Sequence, residues 1–179
     1  MEISNEVKAE WLHPTEFPSM KGIKVVAIDL ETCDTNLKTM GPGWARRDGM
    51  VIGIAISSGD FTAYYPIGHE GGGNMDRDVV LKYIKKVCED ESIQKVFHNA
   101  QYDIGWLSTV DIEVKGYIHD TMIASSLLNE NRFSYALTSI GFEYLAERKN
   151  ETLLKAKAEE LGLDPKAEMY KMWSARGHG

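Results

Sequence analysis

Cysteine is nearly absent from this sequence. Its 179 residues hold only Cys33 and Cys88, far apart and in no Cys-x-x-Cys arrangement. Neither a disulfide framework nor a thiolate zinc site is expected, and a reducing, cytoplasmic compartment is the natural setting. A basic excess is missing too: 20 Lys+Arg stand against 27 Asp+Glu, a net charge of −7. A histone-like or purely electrostatic nucleic-acid binder needs the opposite balance. A protein that holds one strand end through metal ions does not. No apolar run approaches the ~20 residues of a membrane span. The acidic, polar start from Met1 to Glu10 lacks the basic-then-apolar order of a signal peptide. There is no internal repeat and no low-complexity tract.

What is present is an ordinary soluble composition, 43% hydrophobic and 26% charged. The length suits one domain that buries about 70% of its unfolded surface. Residues 1–22, with three acidic residues ahead of His13-Pro14, read as a leader or linker, and 23–179 as the domain. Lys24–Leu30 (KVVAIDL) and Met50–Ser57 (MVIGIAIS) are apolar runs rich in β-branched residues, the pattern of buried strands. Phe61–Pro66 follows the turn Ser58-Gly59-Asp60, which predicts an antiparallel hairpin.

Gly68–Asn74 reads as a loop. Asn74 or Asp76 is placed to cap a helix whose apolar residues, Val79 to Cys88, recur at steps of three and four. Gln94–Phe97 is a fourth strand, reached by a helical crossover and hence expected to be parallel to a neighbour. A helix starts near Asn99, and Tyr117–His119 is a short strand. Asp120 caps a helix to Leu128, and Ser134 caps another with Leu137, Ile140, Tyr144 and Leu145 on one side. From Glu151 the pattern is helix, turn at Asp164-Pro165, and helix to about Trp173, with Lys155 spaced to pair with Glu151 and Glu159 on a solvated face. The order implies a mixed α/β sheet with flanking helices, a ribonuclease H-like architecture. A dinucleotide-binding sheet fits less well, because the first strand runs into Glu31-Thr32-Cys33-Asp34 rather than a glycine-rich turn.

Asp29-Leu30-Glu31 ends the most hydrophobic strand. Alternation puts Asp29 and Glu31 on one face, about 6.5–7 Å apart, where two partly dehydrated carboxylates must protonate, pair with a cation or bind metal. In Phe97–Asp103 (FHNAQYD) a strand runs into a helix on which Asn99 and Asp103 lie four apart. If the two strands are neighbours, Asp103 approaches Asp29 and Glu31. An all-oxygen cluster of this kind suits Mg²⁺ or Mn²⁺, and a pair of such ions supports phosphodiester hydrolysis. Either element alone is ordinarily a solvated strand end or a capped helix; their combination in this order is specific.

On these residues the chain resembles the 3′–5′ proofreading exonuclease domain of family A DNA polymerases, in its phage-type version, within the DEDD exonuclease superfamily. IDLET (Ile28–Thr32) matches the first motif and HNAQYD (His98–Asp103) the second, with HDTMIASSLLNE (His119–Glu130) as the helix that follows. The hairpin and YYPIGHEGGGN (Tyr64–Asn74) also fit, so the likeness covers roughly 23–145. The resemblance implies that Asp29, Glu31 and Asp103 are catalytic ligands of two divalent cations, Mg²⁺ or Mn²⁺. It implies that Thr32 and Asn99 position the terminal nucleotide, with His98 and Tyr102 lining the same cleft. The partners it implies are a single-stranded DNA 3′ end and a polymerase domain of the same parent chain.

The third motif, Tyr-x-x-x-Asp, has no counterpart: Tyr135 leads to Ser139, Tyr144 to Arg148 and Tyr170 to Ser174. The family places it near or beyond Gly179, so the expectation is a piece of a longer polymerase. Asp120 is a poor substitute, because its position is that of a helix cap. Without the fourth carboxylate, a non-catalytic module that binds a strand end or docks a polymerase is a competing reading, and an RNA-trimming exonuclease is a third. In the loop after the first strand, Trp44 offers a stacking surface and Arg46 and Arg47 offer phosphate contacts; the alternative is a folded loop whose Trp packs on the domain. His69, beside Glu70, reads as a turn residue.

Overall fold

The computed structural model describes residues 14–59, 61–146, 151–164 and 168–172. Five strands form one mixed sheet: β1 (Val25–Cys33), β2 (Met50–Ser57), β3 (Thr62–Pro66), β4 (Gln94–Phe97) and β5 (Ile118–Asp120). Their spatial order is β3-β2-β1-β4-β5, with β1, β2 and β3 antiparallel and β4 and β5 continuing parallel to β1. The helices are α1 (Leu37–Met40), α2 (Gly43–Arg46), α3 (Arg77–Glu89), α4 (Ala100–Ser108), α5 (Thr121–Leu128), α6 (Leu137–Leu145) and α7 (Thr152–Leu161). A 3₁₀ turn follows at Met169–Lys171. This is the ribonuclease H-like mixed sheet that the element order implies.

β1 is the central strand. Val26, Ile28 and Leu30 are buried while Val25, Ala27 and Asp29 are exposed, the period of two of a strand with one packed face. The buried set joins one core with Ile54 and Ile56 of β2, Val80, Ile84 and Val87 of α3, and Trp106 and Leu107 of α4. Asp76 caps α3, its carboxylate accepting from the N–H of Val79 at 3.0 Å. Asn74, the other candidate cap, instead clasps His69 through two 2.8 Å bonds between its side-chain amide and the His69 backbone. From the stretch read as leader, Phe17 packs on Tyr65 and Tyr83, with ring centroids 5.3 and 4.6 Å away. Residues 1–13, Asp60 of the hairpin turn, Pro165 and Trp173 lie outside the described residues.

Two boundaries differ from the sequence reading. β1 does not stop at Leu30; β2 stays paired with it to Cys33, so Asp29 and Glu31 sit inside the ladder, opposite Ala55 and Gly53. Ser134 does not cap α6 directly. The N-cap is Ala136, whose N–H Ser134 Oγ accepts at 3.2 Å, and of the expected apolar stripe only Ile140 is buried. In α7 the Glu151–Lys155 pair is present at 2.9 Å, and Lys157 pairs with Glu160 at 2.6 Å.

The loop between β1 and β2 is folded rather than open. Arg46 Nη1 donates to the carbonyls of Met40 and Gly41 at 2.6 and 2.7 Å, and its Nη2 meets Asp48 at 3.4 Å. The Trp44 indole lies on Gly105 of α4, where an added Cβ would stand 2.3 Å from the ring. Trp44 and Arg46 are therefore committed to building this loop, while Arg47 closes α2 in the left-handed conformation with its side chain exposed. A mid-helix glycine costs about 1 kcal/mol relative to alanine, and here close approach of the indole is what requires it. Gly105→Ala is expected to destabilise the fold by about 1–3 kcal/mol through overpacking. In a Trp44→Ala background the same change should become neutral or stabilising. Urea midpoints of the four proteins in this cycle check it; equal effects in both backgrounds would disprove the contact.

Candidate active site

The site forms where β1 outruns β4. Their last pair is Ala27 with Val96, and β4 then ends at Phe97 and turns into α4. On that edge the N–H of Leu30 has no strand carbonyl to meet, and Asp103 Oδ1 from the first turn of α4 accepts it at 3.1 Å. Asp103 is 3% exposed. Burial, then the charge of Asp29, pushes its carboxyl up to about 7; Glu31 adds to the rise, and backbone N–H bonds only partly oppose it. The same two charges act on Tyr64 from β3. Its phenol is raised by burial first and then by Glu31 and Asp29. Asp29, Glu31 and Asp103 thus face one another electrostatically, with Asp29 exposed, Glu31 half-buried and Asp103 enclosed.

Geometry in β2 makes room for this. The register slips between Glu31–Gly53 and Thr32–Val51, so Ile52 is the extra residue of a bulge. Its carbonyl accepts two N–H groups, from Ile67 and Gly68, at 2.8 and 3.0 Å. Gly53, opposite Glu31, has no side chain, and Tyr64 lies over it. A Cβ there would stand 1.9 Å from Tyr64 Oη. That hydroxyl is 2.7 Å from His69 Nε2, and burial keeps the His69 ring below the ordinary histidine range. Tyr64 was not among the residues singled out from sequence. Its signal was the register, since Asp29 pairs with Ala55 and Ala55 with Tyr64.

The other residues fall into two groups. Thr32 and Tyr102 meet directly, 2.8 Å between hydroxyls. Tyr102 donates to Asp34 Oδ2 at 3.0 Å, so its oxygen is the acceptor for Thr32. Asp34 also accepts the N–H of Gly43 at 3.0 Å and was likewise missed, because an Asp in a polar loop carries no periodic signature. Asn99 does not share the helix with Asp103 but precedes it as the N-cap, in the left-handed conformation (φ 70°), exposed and with no capping bond from its own side chain. His98 Nδ1 lies 2.9 Å from Thr121 Oγ1, which donates to the Phe97 carbonyl at 3.1 Å. Asp120 caps α5, as its position implies, accepting from Met122 and Ile123.

Three carboxylates within one another's field, with no basic side chain among the causes of the Asp103 shift, offer the donor chemistry of a hard divalent cation. As they stand the side chains do not close on one point: among the described residues, no group of three His, Cys, Asp or Glu is arranged to hold a metal ion.

The sheet order defines a ribonuclease H-like fold. Residues 17–169 match the 3′–5′ exonuclease family found in family A DNA polymerases, and the chain belongs to that family. It is 36% identical over 170 residues to a DNA-directed DNA polymerase of Pseudomonas phage M6, covering 92% of this chain and 26% of that protein. The chain thus spans about a quarter of that relative's length. Two solved structures share the fold. Trypanosoma brucei RNase D in complex with RNA U12 has a TM-score of 0.64 at 15% identity, covering 89% of this chain and 50% of that one. Brucella melitensis NrnC with bound Mg²⁺ has a TM-score of 0.57 at 20% identity, covering 87% and 85%. No described helix is long and apolar enough to cross a membrane.

The raised Asp103 carboxyl links stability to pH. The folded state keeps this proton until about pH 7, whereas the unfolded chain releases it near pH ~3.9. Its contribution is therefore full below about pH 4 and lost as pH rises through 7. In a chelator, Asp103→Asn should match the parent near pH 4 and exceed it at pH 8 by roughly 2–4 kcal/mol, each pH unit of displacement being worth about 1.4 kcal/mol. Urea unfolding at the two pH values checks this; a gain that is the same at both would sink the assignment.

Proposed function

We propose that this chain is the proofreading exonuclease part of a DNA polymerase, with residues 23–179 as the exonuclease unit. It removes nucleotides from a single-stranded DNA 3′ end and releases nucleoside monophosphates, in a bacterial or phage-infected cytoplasm. The observation that carries the reading is the enclosed Asp103, raised to about 7 beside Asp29 and Glu31 at the edge where the central strand outruns its neighbour. Family membership and the likeness to a phage DNA polymerase support the choice of chemistry and of DNA.

In this reading Asp29, Glu31 and Asp103 hold two divalent cations, Mg²⁺ or Mn²⁺. Bound there, such ions lower the cost of deprotonating water and neutralise charge on the departing 3′ oxygen. The chain's own groups do the rest. Asp103 must give up its proton before it can serve as a ligand, which favours pH above 7. Tyr102, fixed through Asp34 and Thr32, forms one wall for the terminal nucleotide. Asn99 presents its amide at the mouth of α4, free of the capping duty usual at that position. The acidic net charge is tolerable because the cations reverse the local sign.

Incubation with end-labelled single-stranded DNA and Mn²⁺ tests this. Stepwise shortening from the 3′ end is expected, reduced by about 100-fold or more in Asp29→Ala and in Asp103→Ala. Binding without shortening would replace the enzyme by a strand-binding or polymerase-docking module, the reading motivated by the missing Tyr-x-x-x-Asp. Preference for an RNA strand of the same sequence would move the substrate to RNA, the 2′-OH being the discriminating group.

A further inference from the structure

Two strand-to-helix junctions lie side by side, and one is bonded to the other residue by residue. At the end of β5, Asp120 accepts the N–H of Ala100 at 2.7 Å through Oδ2 and that of Asn99 at 3.1 Å through Oδ1. Oδ1 also takes the N–H of Met122 and Ile123 of its own helix at 2.9 and 3.4 Å. The next residue, Thr121, takes His98 Nδ1 and donates to the Phe97 carbonyl. Four consecutive residues from the end of β4 to the start of α4, Phe97 to Ala100, are thus held by the last residue of β5, Asp120, and the first of α5, Thr121. Burial alone would raise the Asp120 carboxyl, but the N–H bonds from Ala100, Asn99, Met122 and Ile123 outweigh it and lower it.

The arrangement answers a question the site raises. Asn99 is the N-cap of α4 yet makes no capping bond, and it holds a left-handed φ that few residues besides Gly, Asn and Asp adopt readily. Orphan N–H groups at a helix start must be satisfied by something, and here that something comes from β5. We propose that Asp120, seconded by Thr121, is a positioning residue of the site: it caps the Asp103 helix from the adjacent strand, releases the Asn99 amide towards the strand end, and fixes the first turn from which Asp103 reaches Leu30. This rests on the exonuclease reading for its consequence, though not for its geometry.

Asp120→Asn separates this role from ordinary capping. Its single oxygen can still cap α5, but its amide nitrogen cannot accept a second set of N–H groups, so Ala100 loses its partner. Asp76→Ala, which removes the cap of α3, is the matched structural control. Expected for Asp120→Asn and Asp120→Ala is faster hydrogen exchange at Ala100, backbone chemical shifts of Asn99 that leave the left-handed region, and a fall in kcat/KM on the single-stranded DNA of about 10- to 100-fold. Asp76→Ala should lower the melting temperature without changing kcat/KM. Thr121→Ser should behave as the parent and Thr121→Val as a milder version of Asp120→Asn. If Asp120→Asn exchanges like the parent at Ala100, or loses kcat/KM no more than Asp76→Ala does, the proposal is overturned. Should the parent chain prove inactive, the exonuclease reading fails by itself, and the exchange and shift data still decide whether Asp120 sets Asn99 and Asp103.

Discussion

Asp103 is enclosed in protein, within the field of two other carboxylates, and its best neutral donor is one strand N–H. Keeping an ionised carboxylate in such surroundings is unfavourable unless a proton or a cation joins it. Most of the local architecture follows from holding that side chain where it is. β1 must project past β4 so that the Leu30 N–H is available. α4 must begin immediately where β4 ends, which calls for the left-handed turn at Asn99 and for a cap from elsewhere. Trp106 and Leu107, one turn further on, anchor the helix in the core.

The opposite flank is arranged around a missing side chain. With Gly53 across from Glu31, Tyr64 can lie over β2 and bring its hydroxyl toward the acidic cluster, held from behind by His69. His69 is in turn clasped by Asn74, and its neighbour Glu70 donates its N–H to the Tyr170 carbonyl at 2.8 Å. The 3₁₀ turn at Met169–Lys171 is therefore tied to the loop that supports Tyr64. Segments distant in sequence converge on one end of the central strand because that strand pairs on both sides.

Much of this was legible in the residues, for identifiable reasons. Strands β1 and β2 announce themselves because β-branched runs bounded by polar turns have few other uses, and Asp29-x-Glu31 becomes specific once it is read together with Asn99-x-x-x-Asp103. The hairpin was readable from its turn. What escaped were relations rather than elements. The extension of β1 to Cys33 depends on β2 continuing alongside, which no local propensity encodes. Tyr64 joins the cluster only through two successive strand registers. Asp34 and Asp120 look like any polar loop or cap residue, and only the packing of neighbouring strands shows that each serves a second element. Trp44 and Arg46 carry the composition of a strand-binding loop, yet a glycine on α4 and the carbonyls at the end of α1 take them up.

An acidic protein needs no free basic patch to hold a polyanion when cations intervene. Counting basic residues overstates what is free to touch a phosphate: Arg46 is spent on its own loop, and Lys95 is buried with its ammonium on the Lys115 carbonyl at 2.7 Å. The other side chains singled out beside the acidic residues are instead neutral: Thr32, Asn99, Tyr102 and Tyr64. Binding that relies on lysine and arginine contacts weakens steeply with salt, roughly one power of concentration per phosphate neutralised. In the proposed exonuclease reading, a site of neutral donors around an acidic core has little such dependence, and its hold on a strand depends on the divalent cations that would convert that core from repulsive to attractive. In that reading the electrostatics do more than permit the chemistry: they would make recognition of the strand end and readiness to cut it a single event.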